Sequence, residues 1–364
     1  MMEALRELIT EGAPFYLALG GFLLGMVFGY IIFRTNFCAM GSISDIMNFG
    51  DHRRFRAWLL AGAIAILGAN LLAFWGIVDL GKSMYLNPTF NWLGNIIGGL
   101  MFGFGMVLAG GCTTRNLVRV GGGDMRSLVV LLMVGLFAYM TIGGILAPAR
   151  DYMQRMTAVD LGEIGSQSAG DVLGAVTGLD AALLTWIVLV VLVLGLLIYC
   201  FKDANFRSSP TNLVAGIGIG ICIVLGWALT GLAYDEFAEQ PLNPISLTYV
   251  RPTGDTWEYL ARFTADMMPA FGVASVAGAL LGAFIAALVG GKFHFAGFAD
   301  SADTFRNLAG GALMGSGGVI ALGCTIGQGV TGFSTLALGS MIALVAIIVG
   351  GVAGVKYMER ALMG

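Results

Sequence analysis

Apolar residues occupy this chain in long unbroken runs, and polar or charged residues gather in the short connections between them. Nine uncharged stretches approach or exceed the roughly 20 residues that a membrane-crossing helix needs. They are 14–33, 57–78, 92–114, 127–149, 181–201, 208–234, 267–291 and two within 307–355. The last stretch runs 49 residues without a charge, too long for one crossing, and divides at Gly327-Gln328-Gly329 and Thr331-Gly332. The pattern predicts an all-α polytopic membrane protein of about nine transmembrane helices.

Composition agrees. Of 364 residues, 57% are hydrophobic and 11% charged, whereas soluble domains carry roughly 25% charged residues. So few charges cannot cover a soluble surface. A net charge of −3 with no basic stripe excludes nucleic acid as a partner. The start, with Glu3, Glu7 and Glu11 before the first apolar run, does not read as a cleaved signal. Five cysteines without a C-x-x-C pair, and two histidines far from them in sequence, fit neither a disulfide framework nor a metal site. No cofactor and no catalytic residue is expected, and no G-x-x-x-x-G-K-[ST] signals ATP use.

Lys and Arg in the connections set the orientation. Nine full crossings with the N-terminus outside put 13 of them inside and 6 outside; re-entrant third and eighth segments would give 10 and 9. Full crossing is therefore preferred, with a cytoplasmic C-terminus in an inner membrane.

The chain also repeats itself at an offset of 212 residues. Residues 95–113 and 307–325 match at ten of nineteen positions, among them Asn95/Asn307, Gly111/Gly323, Cys112/Cys324 and Thr113/Thr325. One membrane domain over 1–364 is expected, with repeat one at 14–149, a linker helix at 181–201 and repeat two at 208–355. An odd number of crossings separates segments three and eight, so the repeats are inverted. Secondary transporters use that construction, with broken helices around a site at the repeat interface.

The Gly-Cys-Thr blocks are candidates for such breaks. Paired glycines loosen a helix, and a break at Gly111 or Gly323 makes Cys-Thr the first turn of a new half-helix. Its free N–H groups and dipole suit an anion. Thr113 and Thr325 add hydroxyl donors, and a thiol adds a weak donor with a soft sulfur. Cys38 sits in a comparable setting beside Asn36. Arg34 and Arg115, within a few residues of a candidate Cys, are either anion attractors or topology determinants. Cys200 and Cys222 lie in wholly apolar surroundings and read as small core residues. The Gly-x-x-x-Gly patterns read as close helix packing.

At these positions the chain resembles the YeeE/YedE family of sulfur-transport membrane proteins. The resemblance rests on F-R-T-N-F-C-A-M-G around Cys38, G-G-C-T-T-R-N around Cys112 and G-C-T-I-G-Q-G around Cys324. It implies thiosulfate uptake along a central path whose three cysteines are Cys38, Cys112 and Cys324. It also implies a separate TusA-like cytoplasmic sulfur carrier as partner. Two other classes stay open on the residues alone: a thiol-redox protein passing electrons across the bilayer, and a pore for a small neutral solute.

Overall fold

A computed structural model of the chain describes residues 2–236, 242–264, 267–298 and 300–363. The first half runs through α1 (Met2–Glu11), α2 (Ala13–Thr35), α3 (Ala39–Phe49), α4 (Arg53–Phe74), α5 (Trp92–Leu108), α6 (Thr113–Gly121) and α7 (Met125–Ile142). Helices α8 (Ala147–Thr157), α9 (Ala169–Thr177) and α10 (Ala181–Phe201) lead onward. The second half holds α11 (Ala204–Arg207), α12 (Pro210–Leu232), α13 (Val250–Ala261), α14 (Phe271–Val289), α15 (Ser301–Ile320) and α16 (Leu338–Met363). Among the described residues, one small sheet pairs β1 (Thr89–Phe90) antiparallel with β2 (Val159–Asp160).

Eight helical stretches among the described residues are long and apolar enough to cross a membrane; they contain α2, α4, α5, α7, α10, α12, α14 and α16. The expected eighth segment, α15, is not among them. It has 20 residues, but Asp303, Arg306 and a run of Gly and Ser dilute its apolar content. That composition suits its place, since α15 packs on both α5 and α7 and buries its glycines there. The long uncharged stretch breaks where expected: a π-helical turn, Gly327–Gly332, separates α15 from α16.

Local chemistry fixes the helix ends. Proline stands in the first turn of α2 and of α12, where a missing N–H costs nothing. Asp124, Asp180 and Asp300 cap α7, α10 and α15 with side-chain oxygens that accept backbone N–H groups. Helix α2 stops at Asn36, which takes the left-handed conformation (φ 54°) that Asn tolerates better than most residues.

Small residues bring the helices together. Lipid offers no hydrophobic drive between helices, so close backbone packing has to supply it. A Cβ on Gly25 or Gly29 would strike the carbonyl oxygens of Ser275 and Ala279; one on Gly278 or Gly282 would strike those of Phe22 and Met26. Helices α2 and α14 thus lie parallel, backbone against backbone. The same holds for α12 with α4, through Gly216 against Ala57 and Gly220 against Ala61. Helix α5 packs parallel to α16 through Gly99 and Gly103, and α15 packs parallel to α7 through Gly311 and Gly315. At the centre α5 and α15 run antiparallel, with Gly98 meeting Gly317 and Gly105 meeting Gly310.

These directions gather the ends of α2, α5, α14 and α16 and the starts of α4, α7, α12 and α15 on one side. Arg34, Arg54, Arg56, Arg115, Arg119, Arg126, Lys292 and Arg306 all belong to it; we refer to it as the basic face. There Arg56 pairs with Asp203 and Arg54 with Asp45, the latter at 3.2 Å.

Glycine contacts of this kind make a sharp stability test. Gly29→Val and Gly282→Val force side-chain atoms into a facing backbone and should each destabilise by about 3 kcal/mol. Gly195→Ala, on the outward side of α10 with open space around it, should stay within about 1 kcal/mol of the parent. Thermal unfolding of the detergent-solubilised protein reads all three.

Candidate functional site

Cys38, Cys112 and Cys324 are all buried, and each stands where a helix begins. Cys38 caps α3, its Sγ accepting the Gly41 N–H at 3.4 Å. Cys112 caps α6 with extended backbone, and its carbonyl accepts the Asn116 N–H at 2.9 Å. Cys324 opens the turn that leads into the π-helical segment; its Sγ accepts the Gly327 N–H at 3.3 Å and its carbonyl the Gln328 N–H at 2.7 Å.

The two Gly-Cys-Thr blocks break their helices in the same way. Gly111 N–H donates back to Met106 O at 2.8 Å, and Gly323 N–H to Gly318 O at 2.7 Å, positions 212 apart. The residue before each is left-handed: Gly110 at φ 66° and Leu322 at φ 61°. Breaking a helix at membrane depth frees carbonyls that must find partners. Asn116 supplies one Nδ2 to Gly111 O at 2.8 Å and Cys112 O at 3.2 Å. Gln328, its counterpart at the same offset, donates Nε2 to Ala321 O.

Chain segments distant in sequence converge here. The thiols of Cys38 and Cys112 interact, Cys112 meets the Thr325 side chain, and Cys324 lies within electrostatic reach of Cys112. The Arg115 and Arg54 guanidinium groups act electrostatically on Cys38. Thr113 and Thr114 are buried with hydroxyls that complete no hydrogen bond among the described residues. A Cβ at Gly111 would collide with Arg115, and one at Gly323 would press tightly on Gln328 and Gly327. Cys200 and Cys222 stand elsewhere in the apolar core; Cys200 donates to Arg56 O at 3.3 Å.

Between this cluster and the basic face lies a cavity of about 270 Å³, lined among others by Asn36, Arg115, Arg119, Arg126 and Lys292. Arg115 donates to Asn36 Oδ1 at 2.9 Å. The one carboxylate lining it, Asp124, takes Arg119 at 2.5 Å and Arg126 at 3.0 Å. Burial works to raise its pKa, yet the two guanidinium groups outweigh that and hold the carboxyl below its usual range. Four cationic side chains against one anion leave the cavity positive. Arg34 stands apart from it, exposed at the end of α2 beside Gly290.

Sequence reasoning missed a second group of residues. Tyr85, in the connection between α4 and α5, and Thr248 and Tyr249, just before α13, are buried near Cys324. Their connections fall outside the predicted spans but enter the bundle. Ser246 Oγ donates to Ile223 O at 2.7 Å, and Thr331 Oγ1 donates to Leu247 O at 2.7 Å. Thr230 Oγ1 donates to Ile245 O at 2.7 Å and accepts the Ile245 N–H at 3.2 Å. Asn116 was legible in principle, since it shares the 212-residue offset with Gln328.

A helical membrane bundle whose broken helices meet at a buried polar cluster, with a cationic cavity behind it, is the architecture of a transporter of small anions. The chain belongs to the sulphur transport family, whose model matches residues 34–353. It is 29% identical to the thiosulfate transporter TsuA of Spirochaeta thermophila over 354 residues, covering 91% of this chain and 96% of that one. Identity to the thiosulfate transporter TsuA of Escherichia coli is also 29%, over 92% of this chain and 93% of the relative. A probable transporter of Escherichia coli, YedE, matches at 33% over 106 residues, 29% of this chain and 24% of its own length.

The side-chain amides at the breaks carry a direct test. Asn116→Leu and Gln328→Leu each leave a buried carbonyl without its donor and should cost about 1–3 kcal/mol. Thermal unfolding unchanged in both variants would show that the freed carbonyls do not depend on these amides.

Proposed function

We propose that this chain takes up thiosulfate into the cytoplasm along a path lined by Cys38, Cys112 and Cys324, with Thr113, Thr325, Asn36, Gly111 and Gly323 beside them. The observation that carries the reading is the convergence of three cysteines from distant segments, each at the start of a broken helix. Two relatives named as thiosulfate transporters, each aligned over more than nine-tenths of the chain, support the choice of substrate.

A divalent anion loses much on leaving water, so it needs donors already in place. A full positive charge on the path would hold it too firmly for release, whereas thiols, hydroxyls and helix-start N–H groups bind at moderate strength in several steps. Sulfate presents oxygen alone; thiosulfate also presents a soft terminal sulfur that a thiol can meet. The anion passes by weak hydrogen bonds, with no covalent bond to the protein. Arg115, with Arg34 farther out, draws the anion from the path toward the basic face, the side of release.

Residues 14–149 and 208–355 are read as two intertwined inverted repeats, with 181–201 as linker. The exchanged packing of α2 on α14 with α12 on α4, and of α5 on α16 with α15 on α7, supports this. The basic face is read as cytoplasmic in an inner membrane, by the Lys and Arg bias, and as the side where a separate TusA-like carrier would receive sulfur.

Uptake of labelled thiosulfate into proteoliposomes tests the path. Cys112→Ala and Cys324→Ala should lose nearly all transport, Cys38→Ala almost as much, while Cys200→Ala and Cys222→Ala retain it. Full transport by the Cys112→Ala, Cys324→Ala double variant would remove the assignment. Thiosulfate should compete for uptake far better than sulfate, and equal competition would leave the thiols without a purpose. Orientation is checked separately: a reporter fused at the C-terminus should be active in the cytoplasm.

A further inference from the structure

We propose that the hydroxyls of Tyr85 and Tyr249 are the oxyanion-holding donors opposite Cys324, gripping the oxygens of the sulfur anion while its terminal sulfur faces the thiol. This rests on the transport reading above and assigns the residues that recognise the oxygen end.

The two rings are fixed while their hydroxyls are unspent. Tyr85 packs edge-on against Trp227 with centroids 6.4 Å apart, and Trp227 is itself held by donating Nε1 to Ser334 Oγ at 3.0 Å. Tyr249 stacks on Phe28 at 5.2 Å with 20° between the planes. Tyr85 is 2% exposed and Tyr249 fully buried; the Thr248 hydroxyl faces the first and the Ser275 hydroxyl the second, yet neither tyrosine hydroxyl closes to hydrogen-bond geometry among the described residues. Buried hydroxyls without partners are costly and call for a reason. Phenylalanine would fill both places without that cost.

Their position supplies the reason. The Tyr85 hydroxyl approaches Thr248 and Gly327, and Gly327 carries the N–H that Cys324 Sγ accepts. Tyr85 lies within electrostatic reach of the Cys324 thiol, and Tyr249 lies within reach of both the Cys222 and the Cys324 thiols. Two neutral O–H donors, the Thr248 hydroxyl and one soft S–H group therefore gather around the turn that Cys324 opens. That donor set matches a tetrahedral sulfur oxyanion bearing one terminal sulfur, and it contains no fixed charge that would prevent release.

Tyr85→Phe, Tyr249→Phe and the double variant of the full chain test the proposal, by proteoliposome uptake and by thermal unfolding with and without thiosulfate. Each Phe should raise the KM for thiosulfate about tenfold, equivalent to about 1.4 kcal/mol, with maximal rate held within about twofold. Unfolding temperatures without ligand should equal or exceed the parent, and the stabilising shift from thiosulfate should shrink. An unchanged KM in the double variant overturns the proposal. So does a lower unfolding temperature without ligand in either single variant, because the hydroxyl would then be serving the fold. The parent protein is measured first: if it neither transports nor is stabilised by thiosulfate, the transport reading fails before any tyrosine variant is compared. Transport by the parent with an unaffected double variant removes the tyrosine assignment alone.

Discussion

Backbone polar groups at membrane depth have no water to turn to, and the whole interior of this protein is arranged around that constraint. Unbroken helices satisfy it internally. This chain interrupts its helices at Gly111 and Gly323 and threads two connecting segments into the bundle, so it must find partners for every carbonyl it frees. The solution is local and repeated. Asn116 and Gln328 return amides to the broken ends, while Thr230, Ser246 and Thr331 stitch residues 245–247 to neighbouring helices and the π-helical turn. The cost of irregular backbone is thereby offset inside the protein, leaving thiols and hydroxyls beside the breaks available for something else.

Glycine makes this arrangement geometrically attainable. Broken half-helices can meet at a centre only if the helices around them approach closely, and the α2–α14, α4–α12 and α5–α15 contacts are backbone against backbone. Such contacts also place Cα–H groups near carbonyl oxygens, a modest attraction that recurs between tightly packed helices. The 56 glycines are thus tied to the site: the bundle is drawn tight so that Cys38, Cys112 and Cys324 can share one interior.

Much of this was legible in the sequence, because length and hydropathy alone constrain a membrane helix. The crossings, the division of the last apolar stretch, the breaks at Gly-Cys-Thr and the gathering of positive charge on one side follow from patterns a single chain displays. Three features did not. Helix α15 is too poor in apolar residues to pass a hydropathy test, since it is enclosed by α5 and α7 and meets little lipid. Residues 242–249 and the connection holding Tyr85 are short, mixed in polarity and outside the predicted spans; Tyr85 and residues 246–249 are nevertheless buried, with Ile223, Thr230 and Thr331 bonded to residues 245–247. Tyr85 and Tyr249 were hidden with them. Their neighbours in sequence give no hint of Cys324, which reaches them only once the second half folds over the first.

The distribution of charge through the interior explains why so neutral a centre can handle an anion. Four cationic side chains line the cavity at the basic face, and one of its walls, Arg115, faces both Asn36 and Cys38. Beyond that point the donors are thiol, hydroxyl and backbone N–H. A full charge in low dielectric attracts far more strongly than the same charge near water, so on the proposed path a guanidinium at Cys324 would turn a waypoint into a trap. At the basic face, water and Asp124 temper the same group, so an anion leaving the neutral core is drawn outward without being arrested. The gradient from charged rim to neutral core follows from the physics of passage: strong, screened attraction where the anion is hydrated, and weak, directional donors where it is bare.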